Sequence, residues 1–223
     1  MMMSGDSGGA SLELGTAGQA RGGHPVGRPA GRRLVLASTS PYRRELLARL
    51  QLEFETAPPQ VDEAPRTGEK PAQTALRLAQ EKAAAVAHRY PDAVIIGSDQ
   101  VADCDGELVG KPGTMERARA MLLRLSGRTV VFHTGLAVLD ARSRQCQSAL
   151  VDVRSTFRQL EAAEIDAYLA REAALDCAGA VKVETLGIAL FRSVEADDPT
   201  ALIGLPLIRL IDMLHAVGIR PLG

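Results

Sequence analysis

Two uninterrupted apolar runs, Leu34-Val35-Leu36-Ala37 and Ala93-Val94-Ile95-Ile96-Gly97, constrain the fold of this chain more than any other feature. A strand without polar alternation is covered on both faces, so the runs predict a sheet with helices packed on it. The first run leads into Ser38-Thr39-Ser40 and then Pro41-Tyr42-Arg43-Arg44-Glu45-Leu46-Leu47. Ser40 is placed to cap a helix and Pro41 to be its first residue. A helix start leaves backbone N–H groups unpaired and carries a partial positive charge, so it attracts phosphate. Three hydroxyls and two arginines add donors suited to a polyphosphate. The segment therefore suggests a nucleotide triphosphate site; the competing reading is an ordinary capped helix with solvated arginines.

Composition narrows the class. A chain of 223 residues is long enough for one sizeable α/β domain or two small lobes. Aromatics make up only 3% and Trp is missing, so the core must be built from Ala, Leu, Val and Ile. A formal charge of −1 argues against nucleic-acid binding. No apolar run is long enough to span a bilayer. Cys104, Cys146 and Cys177 are odd in number and form no C-x-x-C pair, so they read as reduced cytosolic thiols and the expected location is cytoplasmic. Residues 1–33, rich in Gly, Ser and Ala without a hydrophobic period, read as a disordered extension, and residues 34–223 as the domain.

Along the domain, helices are expected at Pro41 to Leu50, Pro71 to Arg89, Thr114 to Ser126, Glu161 to Arg171 and Pro206 to Val217. Strands are expected at Glu53 to Thr56, at Ala93 to Gly97 ending in Ser98-Asp99, and at Gly187 to Phe191. Thr129 to Leu139 and Gln147 to Phe157 form a long hairpin across a polar turn. The order of elements predicts a mixed sheet with flanking helices, bent around a cleft.

Asp99 is the leading candidate for chemistry. An Asp directly after a buried apolar strand is costly unless its charge is paired, coordinated or used, although an Asp can also cap a turn. Open α/β sheets place their ligands where strands end. Lys82 interrupts the apolar stripe Ala75, Leu78, Ala79 and Val86, so it either snorkels out or points at an anion. Lys111, between Gly110 and Pro112, has a constrained backbone and no helix to lie along.

Residues 34–44, Gly97-Ser98-Asp99-Gln100 and Gly110-Lys111-Pro112 resemble, in order and approximate spacing, the motifs of the Maf family of nucleotide pyrophosphatases. The resemblance runs from about Leu34 to the C-terminus. It implies the two-lobed α/β fold shared with the inosine triphosphate pyrophosphatases, with the active site between lobes, and it allows a homodimer. It implies that Asp99 is the proton acceptor and that Ser38, Arg43, Lys82 and Lys111 hold the phosphates of a nucleotide substrate. A free carboxylate, with a pKa near roughly 3.9, is a weak base at neutral pH. A divalent metal ion, Mg²⁺ or Mn²⁺, would remedy this by acidifying the attacking water. Asp62 and Glu63 could join Asp99 as hard oxygen ligands; a solvated acidic loop is the competing reading for that pair.

Three departures from the general family pattern carry further information. Tyr42 stands where the common motif has an arginine, Gln100 where members cleaving dTTP and UTP carry Thr, and Glu184 where they carry Gln. In this combination the base-recognition positions resemble the subfamily that cleaves 7-methyl-GTP. N7-methylguanine is cationic and stacks on an aromatic face with about 0.5–2 kcal/mol. A carboxylate accepting from its N1–H and N2–H₂ edge adds about 1.5–3 kcal/mol. Tyr42 could instead be core packing and Glu184 a solvated loop charge. The expected reaction is hydrolysis of 7-methyl-GTP to 7-methyl-GMP and diphosphate. The alternatives are the same chemistry on dTTP or UTP, and a nucleotide-sensing regulator, in line with the family's naming for septum formation.

Overall fold

The structure is a computed structural model that describes Met1 and residues 32–223. In chain order its elements are β1 (Leu34–Ala37), α1 (Pro41–Ala48), β2 (Glu55–Thr56), α2 (Pro71–Ala87), β3 (Val94–Cys104), β4 (Glu107–Val109), α3 (Met115–Leu125), β5 (Thr129–Asp140), β6 (Gln145–Phe157), α4 (Ala162–Arg171), β7 (Phe191–Glu195) and α5 (Leu207–Ala216). Short 3₁₀ turns occupy Ala178–Ala180, Leu186–Leu190 and Pro199–Ile203. The expected disorder of residues 1–33 falls outside the described residues, apart from its edges. At the far edge Arg32 pairs with Asp140, and Arg33 pairs with Glu55 at 2.8 Å.

One mixed seven-stranded sheet runs in the order β2-β1-β3-β5-β6-β7, with β4 added beside β3. The two apolar runs lie side by side and parallel, Leu34 opposite Val94 and Ala37 opposite Gly97. Both faces of this half are covered, as unbroken apolar strands require. Leu36, Ile96, Leu136 and Val138 pack with residues of α1 and α5, while Val35, Ile95 and Ala137 pack with Ala79, Ala83 and Val86 of α2. In the other half the hairpin of β5 and β6 carries Val130, Phe132, Val153 and Phe157 into a core shared with Leu122, Leu125, Ile165 and Leu169 of α3 and α4. Two lobes thus share one sheet.

Two expected strands are corrected. The central strand does not give out at Ser98-Asp99: β3 continues to Cys104, because β5 pairs with it from Val94 to Asp103 and supplies the ladder past the apolar run. What ends there is the partnership with β1, whose last pair is Ala37 with Gly97; β4 takes up that edge only at Ala102. The edge between those two pairings is where the cleft opens. The strand expected at Gly187 to Phe191 lies four residues later, at Phe191–Glu195, paired with β6. Its apolar start is a 3₁₀ turn, where a Cβ on Gly187 would stand 2.4 Å from the Lys182 carbonyl oxygen. The Glu172 carboxylate accepts from the Thr185 hydroxyl and from Gly187 N, which holds that turn closed.

Candidate active site

The cleft has a volume of about 520 Å³ and draws its walls from both lobes. Its first wall is the turn after β1. Ser40 Oγ accepts from Arg43 N at 3.4 Å and Ser38 Oγ accepts from Ser40 N at 3.1 Å, so the two serines build the start of α1, with Pro41 as its first residue. This is the capping expected from the sequence, and it aims the helix N-terminus into the cleft.

Asp99 reaches the site because of two glycines. Gly97 precedes it by two on the same face of β3, and Gly135 lies directly opposite it on β5. A Cβ at Gly97 would stand 2.1 Å from the Ala79 carbonyl oxygen, and one at Gly135 would stand 2.2 Å from that of Ala75. Their bare backbones let α2 lie against the sheet. Lys82, on α2, then donates to Asp99 Oδ1 at 2.6 Å and pairs with Glu63 Oε1 at 2.6 Å. The lysine is therefore buried and paired, and does not snorkel.

Around this pair gathers a cationic cluster. Arg43 and Lys111 line the same cleft. Burial pushes the Arg43 guanidinium below its ordinary value, with Asp99 and Glu63 acting the other way. Burial alone would raise Glu63; the hydrogen bond from Lys82 and the charges of Lys82, Lys111 and Arg43 outweigh it and hold the carboxyl below its usual range. Three cations thus face two carboxylates, which leaves this end net positive.

The part of the cleft around Tyr42 carries both signs, Asp176 and Glu184 against Lys182. Tyr42 is half-buried, and its phenol is pushed up by burial, with Cys177 and Asp176 adding to that and a hydrogen bond from Lys182 opposing it. Asp176 and Glu184 are exposed and both line the cleft, above an apolar wall of Val183, Phe132 and Phe191. Cys177 is a poor nucleophile there, because burial and Asp176 raise its thiol to about 11. Asp176 was not found from the sequence, since it stands in no recognised motif, and Lys182, two residues before Glu184, was given no role.

One candidate residue lies elsewhere than expected. Asp62 accepts from Ala64 N at 3.0 Å and lines a separate shallow groove with Arg66, Arg77 and Glu81, so it does not join Asp99 and Glu63. Among the described residues no group of three or more His, Cys, Asp or Glu side chains is arranged to hold a metal ion. The three-carboxylate set is therefore corrected to two, and Lys82 stands between them. Gln100 does line the cleft, and its Nε2 is bonded to protein oxygens. Nε2 donates to the carbonyls of Ala201 at 2.8 Å and Leu202 at 3.0 Å and to Thr134 Oγ1 at 3.2 Å.

The family model for a Maf-like protein matches residues 33–217. A protein named 7-methyl-GTP pyrophosphatase from Albidiferax ferrireducens is 53% identical over 198 residues, covering 89% of this chain and 100% of that protein. One of the same name from Polaromonas sp. is 58% identical over 191 residues, covering 86% of this chain and 87% of its own. A third, from Xanthomonas oryzae pv. oryzae, is 55% identical over 186 residues, covering 83% and 97%. With a cationic cluster on a helix start, a carboxylate on a glycine-lined strand and matches over this much of its length, the chain belongs to the Maf-like family.

Proposed function

We propose that this protein hydrolyses 7-methyl-GTP between the α and β phosphates, releasing 7-methyl-GMP and diphosphate. The observation that carries this reading is the charge polarity of the cleft. Arg43, Lys82 and Lys111 cluster at one end, and at the other Tyr42 stands with two carboxylates, Asp176 and Glu184, against the single cation Lys182. A substrate with a polyanionic tail and a cationic base fits that polarity in one orientation, tail against the helix start and base against Tyr42. A neutral pyrimidine has no positive charge for these two carboxylates to attract.

The chemistry follows from the same residues. Ser38 Oγ and the Tyr42 N–H at the start of α1 donate to the phosphates, and Arg43, Lys82 and Lys111 neutralise them as charge develops on the leaving diphosphate. Lys82 holds Asp99 by Oδ1, which leaves Oδ2 to take the proton of the water that attacks the α phosphorus. Asp99 and Glu63 also suit a Mg²⁺ or Mn²⁺ that arrives with the nucleotide, since such ions commonly take one or two carboxylates and complete their shell with phosphate oxygens and waters. When bound, the ion would acidify the attacking water and screen the phosphates.

The test is diphosphate release from 7-methyl-GTP, GTP, UTP and dTTP, with and without Mg²⁺ or Mn²⁺. The reading expects a kcat/KM for 7-methyl-GTP at least tens of fold above the pyrimidine nucleotides, from about 2–5 kcal/mol of base recognition. Faster cleavage of UTP or dTTP would overturn it, and binding without turnover would make the protein a nucleotide sensor. The same reading takes the enzyme as cytoplasmic, where its three free thiols stay reduced, and as a homodimer, which sedimentation checks. Among the described residues, no helix is long and apolar enough to cross a membrane.

A further inference from the structure

The stretch Ala201–Gly204 hangs from the sheet by side chains of two neighbouring strands. Thr134 Oγ1 donates to the Ala201 carbonyl at 2.9 Å, and Gln100 Nε2 donates to the Ala201 and Leu202 carbonyls. Ser98 Oγ lies 3.0 Å from the Gly204 carbonyl, which also accepts from Arg43 Nε at 2.9 Å. Ser98, Thr134 and Ala201 are buried, so these bonds are shielded from water. Gly204 itself has φ +117°, and a Cβ there would lie 3.5 Å from Arg43 Nε. The guanidinium is therefore fixed by Nε on this turn, with its two terminal nitrogens left for the cleft.

We propose that Gln100 is a positioning residue for the phosphate-binding arginine, acting through the Ala201–Gly204 carbonyls on Arg43. The amide hydrogens of Gln100 are committed to main-chain and Thr134 oxygens, which ties the side chain to this turn. The proposal rests on the reading of Arg43 as a phosphate ligand, and the experiment separates the two.

The probe is inorganic tripolyphosphate, which has no base, with its binding measured by calorimetry on wild type, Gln100→Leu, Arg43→Ala and the double variant. Binding by wild type that Arg43→Ala leaves unchanged would overturn the phosphate role of Arg43 and this inference with it. Given that role, Gln100→Leu is expected to weaken binding by on the order of tenfold, since small misplacements of a clamp residue are costly. In the Arg43→Ala background the same change is expected to cost less than about twofold, because a residue that acts through a partner is non-additive with it. Full additivity, or no loss with Gln100→Leu, overturns the inference. Thr134→Val keeps the volume and removes one of the same bonds, so it is expected to shift tripolyphosphate binding in the same direction. It carries the test should Gln100→Leu fail to fold by circular dichroism.

Discussion

Gly135→Ala tests whether the close seat of α2 on the sheet is what arms Asp99. The new Cβ would stand 2.2 Å from the Ala75 carbonyl oxygen, 2.5 Å from its carbonyl carbon and 2.9 Å from Leu76 Cα. All three are main-chain atoms, so no side chain can swing away. Ordinary contact begins near 3.4 Å, and α2 must therefore lift by about 1 Å at this point. Lys82 lies two turns further along the same helix, and its 2.6 Å bond to Asp99 would stretch out of hydrogen-bonding range if that lift were transmitted. Overpacking of this kind costs about 1–3 kcal/mol, and in a domain of this size each kcal/mol lowers Tm by about 2–4 °C. Misplacing a reacting group by ~1 Å costs up to about 10²-fold in rate. The variant is thus expected to remain folded, with Tm down by several degrees, and to lose ten- to a hundredfold in kcat by diphosphate release, beyond what the lowered Tm explains at 25 °C. Activity within about threefold of wild type in a variant whose Tm has fallen would refute the argument, because α2 would then have moved without consequence for the site.

Other expectations follow from named contacts. Asp99→Asn should cut kcat by about 10²–10⁴-fold with Tm nearly unchanged; more than a tenth of the wild-type rate would contradict a proton-accepting role. Tyr42→Ala and Glu184→Gln should lower kcat/KM for 7-methyl-GTP more than for GTP, with Glu184→Gln also easing the penalty against UTP; equal losses on every nucleotide would assign both residues to the fold. Arg32 holds the Asp140 carboxyl at about 2, below the usual carboxylate range, so its contribution to stability is complete above about pH 4 and is lost as pH falls towards 2. Urea midpoints between pH 6 and 2.5 should therefore fall less steeply for Asp140→Asn than for wild type, and parallel curves would exclude this pair as a cause.

What the sequence revealed and what it hid divide along physical lines. Local chemistry was legible: the Ser40 cap, Pro41, the Thr114 cap of α3 and the hairpin of β5 and β6 depend on residues near one another in the chain. For Lys82 on the apolar stripe the sequence left snorkelling and an anion both open, and the structure shows the anions, Asp99 and Glu63. The length of β3 was not legible. Its second half, Asp99-Gln100-Val101-Ala102-Asp103-Cys104, breaks the apolar run with three polar residues, and pairing to β5 makes those residues a strand. The role of Gln100 was hidden for the same reason, because its acceptors lie a hundred residues away. Asp62 and Glu63 are neighbours in sequence, yet only Glu63 turns into the cleft. The cluster of Asp176, Cys177 and Lys182 around Tyr42 comes from two loops that no pattern links.

The sharing of one sheet by both lobes has a mechanical consequence. β3 and β5 pass beneath the cleft without a break, so widening or narrowing it would bend a ladder that is hydrogen-bonded from Val94 to Asp103. A floor of that kind gives the cleft a fixed gape. Nucleotide capture then needs no jaw-like closure, and encounter is governed by the field of the three cations at one end. Association should be fast, steeply weakened by salt and free of a slow isomerisation phase, and selectivity between bases should already be present in the first collision complex that survives.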